Sequence, residues 1–286
     1  MIQWYPGHMA KAKKNVIENL KIVDLVIEVL DARIPQSSRN PELQDLLDDQ
    51  KHIMVLNKVD LADPEFTQDW KEFYQNETEV VTINSVKGTG ISKLLSVLNK
   101  KHQVINQGLK DKGRKHKPIK IMILGITNVG KSTLINALAG TNRAKTGKKP
   151  GVTRGKQWIK INKKMHLLDT PGILWPKFED DKIGYKLALV GAIKKNVFDI
   201  ELAAYKLIQY FQDYSPEILE NQYDIEINNE QAYDIVAMIG RKRGCLMSGG
   251  KIDRNRISNI IVNDFQKGRL KGITLESPRD DNNESN

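Results

Sequence analysis

The sequence predicts an α/β fold over residues 1–177, with a mostly parallel sheet and helices on both faces, followed by an all-α domain over residues 178–276. Three observations carry that expectation. Short apolar runs alternate with amphipathic stretches up to Leu168, a glycine-rich turn separates one such run from a helix near residue 125, and beyond Phe178 helical periodicity dominates.

In chain order, residues 9–20 read as an amphipathic helix and 25–30 as a strand running into Asp31-Ala32-Arg33. Residues 42–47 read as a helix, 52–56 as a buried strand, 66–74 as a helix, 80–83 as a strand and 91–102 as a helix. Residues 106–118, with Gly108, Gly113 and Pro118 among Lys and Arg, read as a linker. A strand at 119–124, a helix at 132–139, a basic loop at 141–156 and a strand pair at 157–161 and 165–168 complete the first domain. Helices are expected at 183–193, 200–211, 217–219, 230–239 and 253–268, their apolar stripes forming bundle core. Residues 277–286 are polar and aperiodic, the composition of a disordered tail.

Composition limits the function classes. The hydrophobic fraction of 40% suffices for a core, and no apolar run approaches the roughly 18 residues of a membrane span. One cysteine, Cys245, excludes an internal disulfide and a cysteine zinc cage, and is expected as a small buried residue. The N-terminus has no secretory pattern, so a cytoplasmic address is expected. The net charge of +10 is local: residues 1–98 sum to −4, 99–166 to +17 and 167–286 to −3, while 241–271 within the last segment carry +7. Two basic zones in an otherwise acidic chain point to a polyanion, nucleic acid first.

Gly125-Ile126-Thr127-Asn128-Val129-Gly130-Lys131-Ser132 fits G-x-x-x-x-G-K-[ST] between a strand and a helix. Glycines let the backbone turn inward, so that the N–H groups of Asn128, Val129, Gly130, Lys131, Ser132 and Thr133 cradle phosphate at a helix N-terminus. Lys131 would reach the β/γ-phosphates and the Ser132 hydroxyl would ligate Mg²⁺. Asn57-Lys58-Val59-Asp60 follows a strand, and the Asp60 carboxylate suits the N1–H and N2–H donors of guanine, selecting GTP over ATP. Asn84-Ser85-Val86 resembles the loop that closes over guanine O6 with a backbone N–H, here that of Val86. Asp169-Thr170-Pro171-Gly172 stands where a Mg²⁺-linked Asp and a γ-phosphate-sensing Gly N–H belong, and Thr153 is the candidate for the switch threonine of the Mg²⁺ shell. The motifs run base, base, phosphate, switch I, switch II, which is the order of a circularly permuted P-loop GTPase domain joined through the 106–118 segment.

This order, together with Trp4-Tyr5-Pro6-Gly7-His8-Met9, Asp31-Ala32-Arg33-Ile34-Pro35 and Gly249-Gly250-Lys251-Ile252-Asp253 to Gly268-Arg269-Leu270, closely resembles the bacterial ribosome biogenesis GTPase A (YlqF) family over nearly the whole chain. The resemblance implies GTP hydrolysis, a role in late assembly of the large (50S) ribosomal subunit, rRNA binding by the helical domain, and a monomer with neither DNA nor membrane among its partners. Ile173 occupies the position where many GTPases carry a water-orienting Gln. The resemblance implies His8 for that task. It also implies Asn128 as a ligand for a K⁺ ion beside the phosphates. His52, His102, His116 and His166 lack metal-ligand spacing. Trp175-Pro176-Lys177 leads from switch II into the helical domain, so γ-phosphate contacts are expected to influence that domain's position. On charge alone, a GTPase switch acting on tRNA or a protein partner remains the alternative. A pure RNA-binding module with a degenerate nucleotide site is disfavoured by the intact Lys131, Ser132, Asp60 and Thr153.

Overall fold

A computed structural model describes residues 8–47, 51–140, 158–168, 170, 172 and 180–278. The first helix, α1 (His8–Leu20), precedes β1 (Leu25–Asp31), the short α2 (Pro35–Ser38), α3 (Pro41–Leu47), β2 (His52–Asn57), α4 (Pro64–Gln75), β3 (Glu79–Ile83) and α5 (Ile91–Asp111). Then follow β4 (Ile119–Leu124), α6 (Lys131–Ala139), β5 (Trp158–Lys160) and β6 (Met165–Leu168). The remaining helices are α7 (Asp181–Leu189), α8 (Ile200–Tyr214), α9 (Pro216–Tyr223), α10 (Ala232–Lys242) and α11 (Arg254–Gln266).

The six strands form one sheet in the order β3-β2-β1-β4-β6-β5, all parallel except the edge strand β5. Every residue of β1 is buried, as expected for a central strand covered on both faces. Val26, Met122, Leu124 and Leu168 pack under α1 and α3, whereas Ile27, Val29, Ile121 and Ile123 join a core that continues through α5 and α6 into the C-terminal helices. Trp70 and Tyr74 of α4 seal a third cluster against Leu30, Met54 and Leu56. Helices α7, α9, α10 and α11 gather around α8. Aspartates set several helix starts: Asp63 accepts from Glu65 N and Phe66 N, and Asp180, Asp199 and Asp253 cap α7, α8 and α11. Among the described residues no helix is long and apolar enough to cross a membrane.

The segment read as a linker departs from expectation. Helix α5 runs on to Asp111, through Gly108, whose position is open to solvent and costs only about 1 kcal/mol relative to Ala. The join to β4 is pinned by the buried Asn106, whose amide donates to Lys117 O (3.1 Å) and accepts from Lys117 N (2.8 Å). Asp24 holds the same stretch through Lys117 Nζ (2.7 Å) and Lys120 N (2.9 Å). At the other end Ser277 is half-buried and Pro278 buried; the rest of the expected tail lies outside the described residues. Cys245 is buried, as its residue type suggested.

Candidate nucleotide-binding site

The loops after β4, β2 and β3 converge at the C-terminal edge of the sheet, the usual ligand position in open α/β sheets. Parallel pairing of β1 with both β2 and β4 sets the base-type and phosphate-type loops side by side although they are far apart in sequence.

The β4–α6 turn demands glycine twice. Gly125 has φ 144° and a Cβ there would lie 2.4 Å from Val29 O; Gly130 has φ 106° and its Cβ would lie 2.3 Å from Asn57 Nδ2. Asn128 adopts φ 59° and is exposed at the loop's outer bend. Lys131, Ser132 and Thr133 form the first turn of α6, so its N-terminal amides face the loop. Lys131 Nζ is buried and donates to Gly125 O (2.9 Å) and Ile126 O (2.7 Å), folding the loop on itself. Gly172 lies directly against this nest: a Cβ there would be 2.9 Å from Lys131 Nζ and 2.8 Å from Thr127 Cα. Its neighbour Thr170 is anchored by a hydroxyl bond to Ile123 O.

Asn57 ties all three loops together. Fully buried, it donates to Val129 O (2.8 Å) and accepts from Ser85 N (3.1 Å). Lys58, at φ 64°, sends its ammonium to Asn128 O (2.8 Å) and Asp31 Oδ2 (2.8 Å). A turn closed by Leu61 N donating to Lys58 O (2.9 Å) leaves Asp60 exposed at the rim. In the β3 loop, Asn84 Oδ1 accepts from Val86 N (3.0 Å) and Lys87 N (2.9 Å), so the Val86 amide assigned to guanine O6 already has a partner within its own loop. That hydrogen must be shared or released for the expected contact.

Three charges, Asp31, Arg33 and Lys58, stand behind the site. Burial would raise the Asp31 carboxyl, but the charges and hydrogen bonds of Arg33 and Lys58 hold it far below the carboxylate range. Burial lowers the Lys58 ammonium, with Asp31 opposing. The helical region also reaches in: Thr127 Oγ1 donates to Ala192 O and Asn128 Nδ2 to Gly191 O, both in the turn after α7. The Asn128 Oδ1 expected to face K⁺ is the oxygen that this bond does not use.

His8 opens α1, but its side chain lies outside the described residues, as do Thr153, Asp169, Ile173 and residues 175–177. The donor set expected around Mg²⁺, two hydroxyls and a carboxylate, has the all-oxygen character that ion requires, and Ser132 stands at the phosphate nest. Reading motifs alone missed the use of Asp31 and Arg33 and the clasp of Thr127 and Asn128 on the helical region. A charged pair two residues apart at the end of a buried strand was the available signal for the first; the second has none.

A sheet-edge nest for phosphate, flanked by guanine-type loops that precede it in the chain, defines a circularly permuted GTPase. A family model described as 50S ribosome-binding GTPase matches residues 120–239, and one described as RsgA GTPase matches residues 11–179. Ribosome biogenesis GTPase A of Bacillus pumilus is 45% identical over 278 residues, 97% of this chain and 99% of that protein. The protein of the same name from Thermotoga maritima is 30% identical, covering 98% of this chain and 95% of its own length. Among solved structures, GNP-bound YlqF from T. maritima has a TM-score of 0.63 at 27% identity, covering 94% of this chain and 98% of that one. A GDP-bound YlqF structure has a TM-score of 0.65 at 25% identity, covering 93% and 99%. The chain belongs to the ribosome biogenesis GTPase A family, and it is a GTPase.

Proposed function

We propose that this GTPase works in the cytoplasm as a monomer at a late step of large-subunit assembly, holding rRNA in a nucleotide-dependent way. The observation that carries the reading is the bonding of the phosphate loop to the helical region through Thr127 and Asn128. Nucleotide phosphates and the polyanion-facing surface then act on one connected body. That surface exposes Arg241, Lys242, Arg243, Lys251, Arg256, Lys267, Arg269 and Lys271 in the helical region, and Lys112, Arg114, Lys115, Lys117 and Lys120 before and within β4. Relatives named ribosome biogenesis GTPase A, and a family model described as 50S ribosome-binding GTPase, support the choice of polyanion.

In this reading Asp60 accepts from guanine N1–H and N2–H, Asn57 and Lys58 hold the base-reading loop to the phosphate loop, and the Ser85–Val86 backbone closes the base pocket. Lys131 exchanges its Gly125 and Ile126 carbonyls for β/γ-phosphate oxygens. Gly172 N–H meets the γ-phosphate. Ser132, Thr153 and Asp169 would hold Mg²⁺, whose charge would offset that of the phosphates. Asn128 would help hold K⁺, which would supply positive charge in place of an arginine finger. His8 orients the attacking water through a neutral imidazole.

GTP turnover measured with purified 50S subunits, with tRNA and alone tests the proposal. Stimulation by 50S subunits is expected, and stimulation by tRNA instead would favour the alternative switch. Asp60→Asn is expected to shift preference from GTP to XTP, and replacing KCl by NaCl to lower the rate; equal rates would remove the K⁺ assignment.

A further inference from the structure

Asp31 ends β1 in register with Asn57, and its carboxylate is completely buried. It accepts four hydrogen bonds: Arg33 N (3.2 Å) and Arg33 Nε (2.9 Å) at Oδ1, Arg33 Nη2 (2.8 Å) and Lys58 Nζ (2.8 Å) at Oδ2. Arg33 is equally buried and spends its remaining edge on α11: Nη1 donates to Phe265 O (3.0 Å), with the guanidinium 4.8 Å from the Phe265 ring centroid. In the other direction Lys58 continues to Asn128 O. Charge-assisted bonds therefore run without a break from the phosphate loop to the end of α11.

A second line of contacts runs beside the first. After α11 the chain returns across the base-reading loop, where Gly272 N donates to Leu61 O (2.8 Å), Asp63 N to Thr274 Oγ1 (3.1 Å) and Leu275 N to Arg33 O (2.8 Å). Gly268 approaches so closely that a Cβ would lie 2.4 Å from Leu61 Cδ2. Leu61 directly follows Asp60, so this strap grips the base-reading loop from behind. A buried cluster of two cations and one carboxylate gains little stability over well-packed apolar residues, but it enforces one geometry.

We propose that Asp31 and Arg33 are positioning residues for the guanine nucleotide. Asp31 fixes Lys58 against the phosphate loop, and Arg33 locks that pair to α11, so that nucleotide occupancy tightens residues 268–276 on the base-reading loop. By linkage, the strap tightens the nucleotide in return. The inference rests on the reading of residues 57–60 and 84–86 as the base loops.

Amide hydrogen exchange on the full chain, with and without GDP, tests it. Exchange at Gly272 and Leu275 is expected to slow by about fivefold or more on GDP addition, alongside protection of Ser85 and Lys131. Protection of Ser85 and Lys131 with no change at Gly272 and Leu275 would overturn the proposal while leaving the base-loop reading intact; no protection anywhere would overturn both. In Asp31→Asn the GDP effect at Gly272 and Leu275 should vanish and GDP affinity should fall about tenfold, whereas a purely structural role would leave the GDP-dependent change in place. Should that variant fail to fold, Thr274→Val, which removes the strap's bond to Asp63 N but touches neither the phosphate nest nor Asp60, is expected to weaken GDP binding about threefold, and unchanged affinity would count against the coupling.

Discussion

Asn57→Ala tests how the site is held together. The side chain is fully buried and joins two loops with two bonds, to Val129 O at 2.8 Å and from Ser85 N at 3.1 Å. Truncation leaves a backbone carbonyl and a backbone N–H without that partner, at about 1–3 kcal/mol each. Because Gly130 borders the space vacated, water can enter it, which places the loss near the lower end, about 2–3 kcal/mol in all. Nucleotide binding must then reassemble the two loops, so GDP affinity should fall about thirtyfold at 1.4 kcal/mol per decade. The GTP-to-ATP preference should persist, because Asp60 is untouched. The assay pairs urea unfolding with titration of a fluorescent GDP analogue. Asn57→Asp should be worse than Ala, since its second oxygen would face the Val129 carbonyl. Destabilisation below about 0.5 kcal/mol with unchanged affinity would refute the claim that this residue braces the site.

Two further outcomes follow from buried groups. Glu28 on β1 lacks a hydrogen-bond partner for Oε2 among the described residues, and burial raises its carboxyl from 4.5 to about 7, with Arg39 opposing and Glu77 adding to the rise. The folded state thus holds this proton more tightly than the unfolded one: the stability it contributes is present below about 4.5 and is lost as pH rises through about 7. Glu28→Gln should flatten the stability–pH curve between those values and stabilise the protein by up to roughly 3 kcal/mol at pH 8, and parallel curves for variant and parent would contradict it. Gly130→Ala forces a methyl group to within 2.3 Å of Asn57 Nδ2 at φ 106°, so it should abolish measurable GDP binding while calorimetry shows a fold weakened by about 2–3 kcal/mol. Retention of parental affinity would show that the loop tolerates the displacement.

The strands were legible because each is a short apolar run ended by turn residues; β4 and β6 occur where the sequence places them, and β1 and β2 extend one residue further. The phosphate nest was legible because only its glycines satisfy the backbone it needs, at Gly125 and Gly130. Helix α5 was cut short in the reading because Gly108 looked like punctuation; the Asn106–Lys117 clasp that places the join depends on a turn back in space. Arg33 reaches Phe265 across 232 positions and Ser37 reaches Glu276 across 239, distances over which local patterning carries no information. For the same reason the strap was invisible: beyond the helix expected at 253–268 the sequence suggests no element up to residue 276, yet Trp70 Nε1 donates to Glu276 O (3.0 Å) and Lys186 pairs with the Glu276 carboxylate at 3.1 Å.

Permutation alters what the helical region can respond to. The base-reading loops at residues 57–60 and 84–86 precede the phosphate loop at residues 125–132 in the chain, and the sheet brings them together through β1, β2 and β4. The helices that follow touch both: the turn after α7 holds the phosphate loop at Thr127 and Asn128, and the end of α11 with its strap holds the base side at Arg33, Leu61 and Asp63. Between these anchors α7, α8 and α11 pack against one another as close-packed helices, which resist stretching. A nucleotide that changes the spacing of the two loops therefore cannot be accommodated by either anchor alone; the helices must tilt as a group. In the proposed function the basic residues on α10, α11 and the strap ride on that group, so that a small shift at phosphate would reorient positive charge. That is how, in the proposed function, the excess of Lys and Arg, uninformative as a net number, would acquire a dependence on GTP.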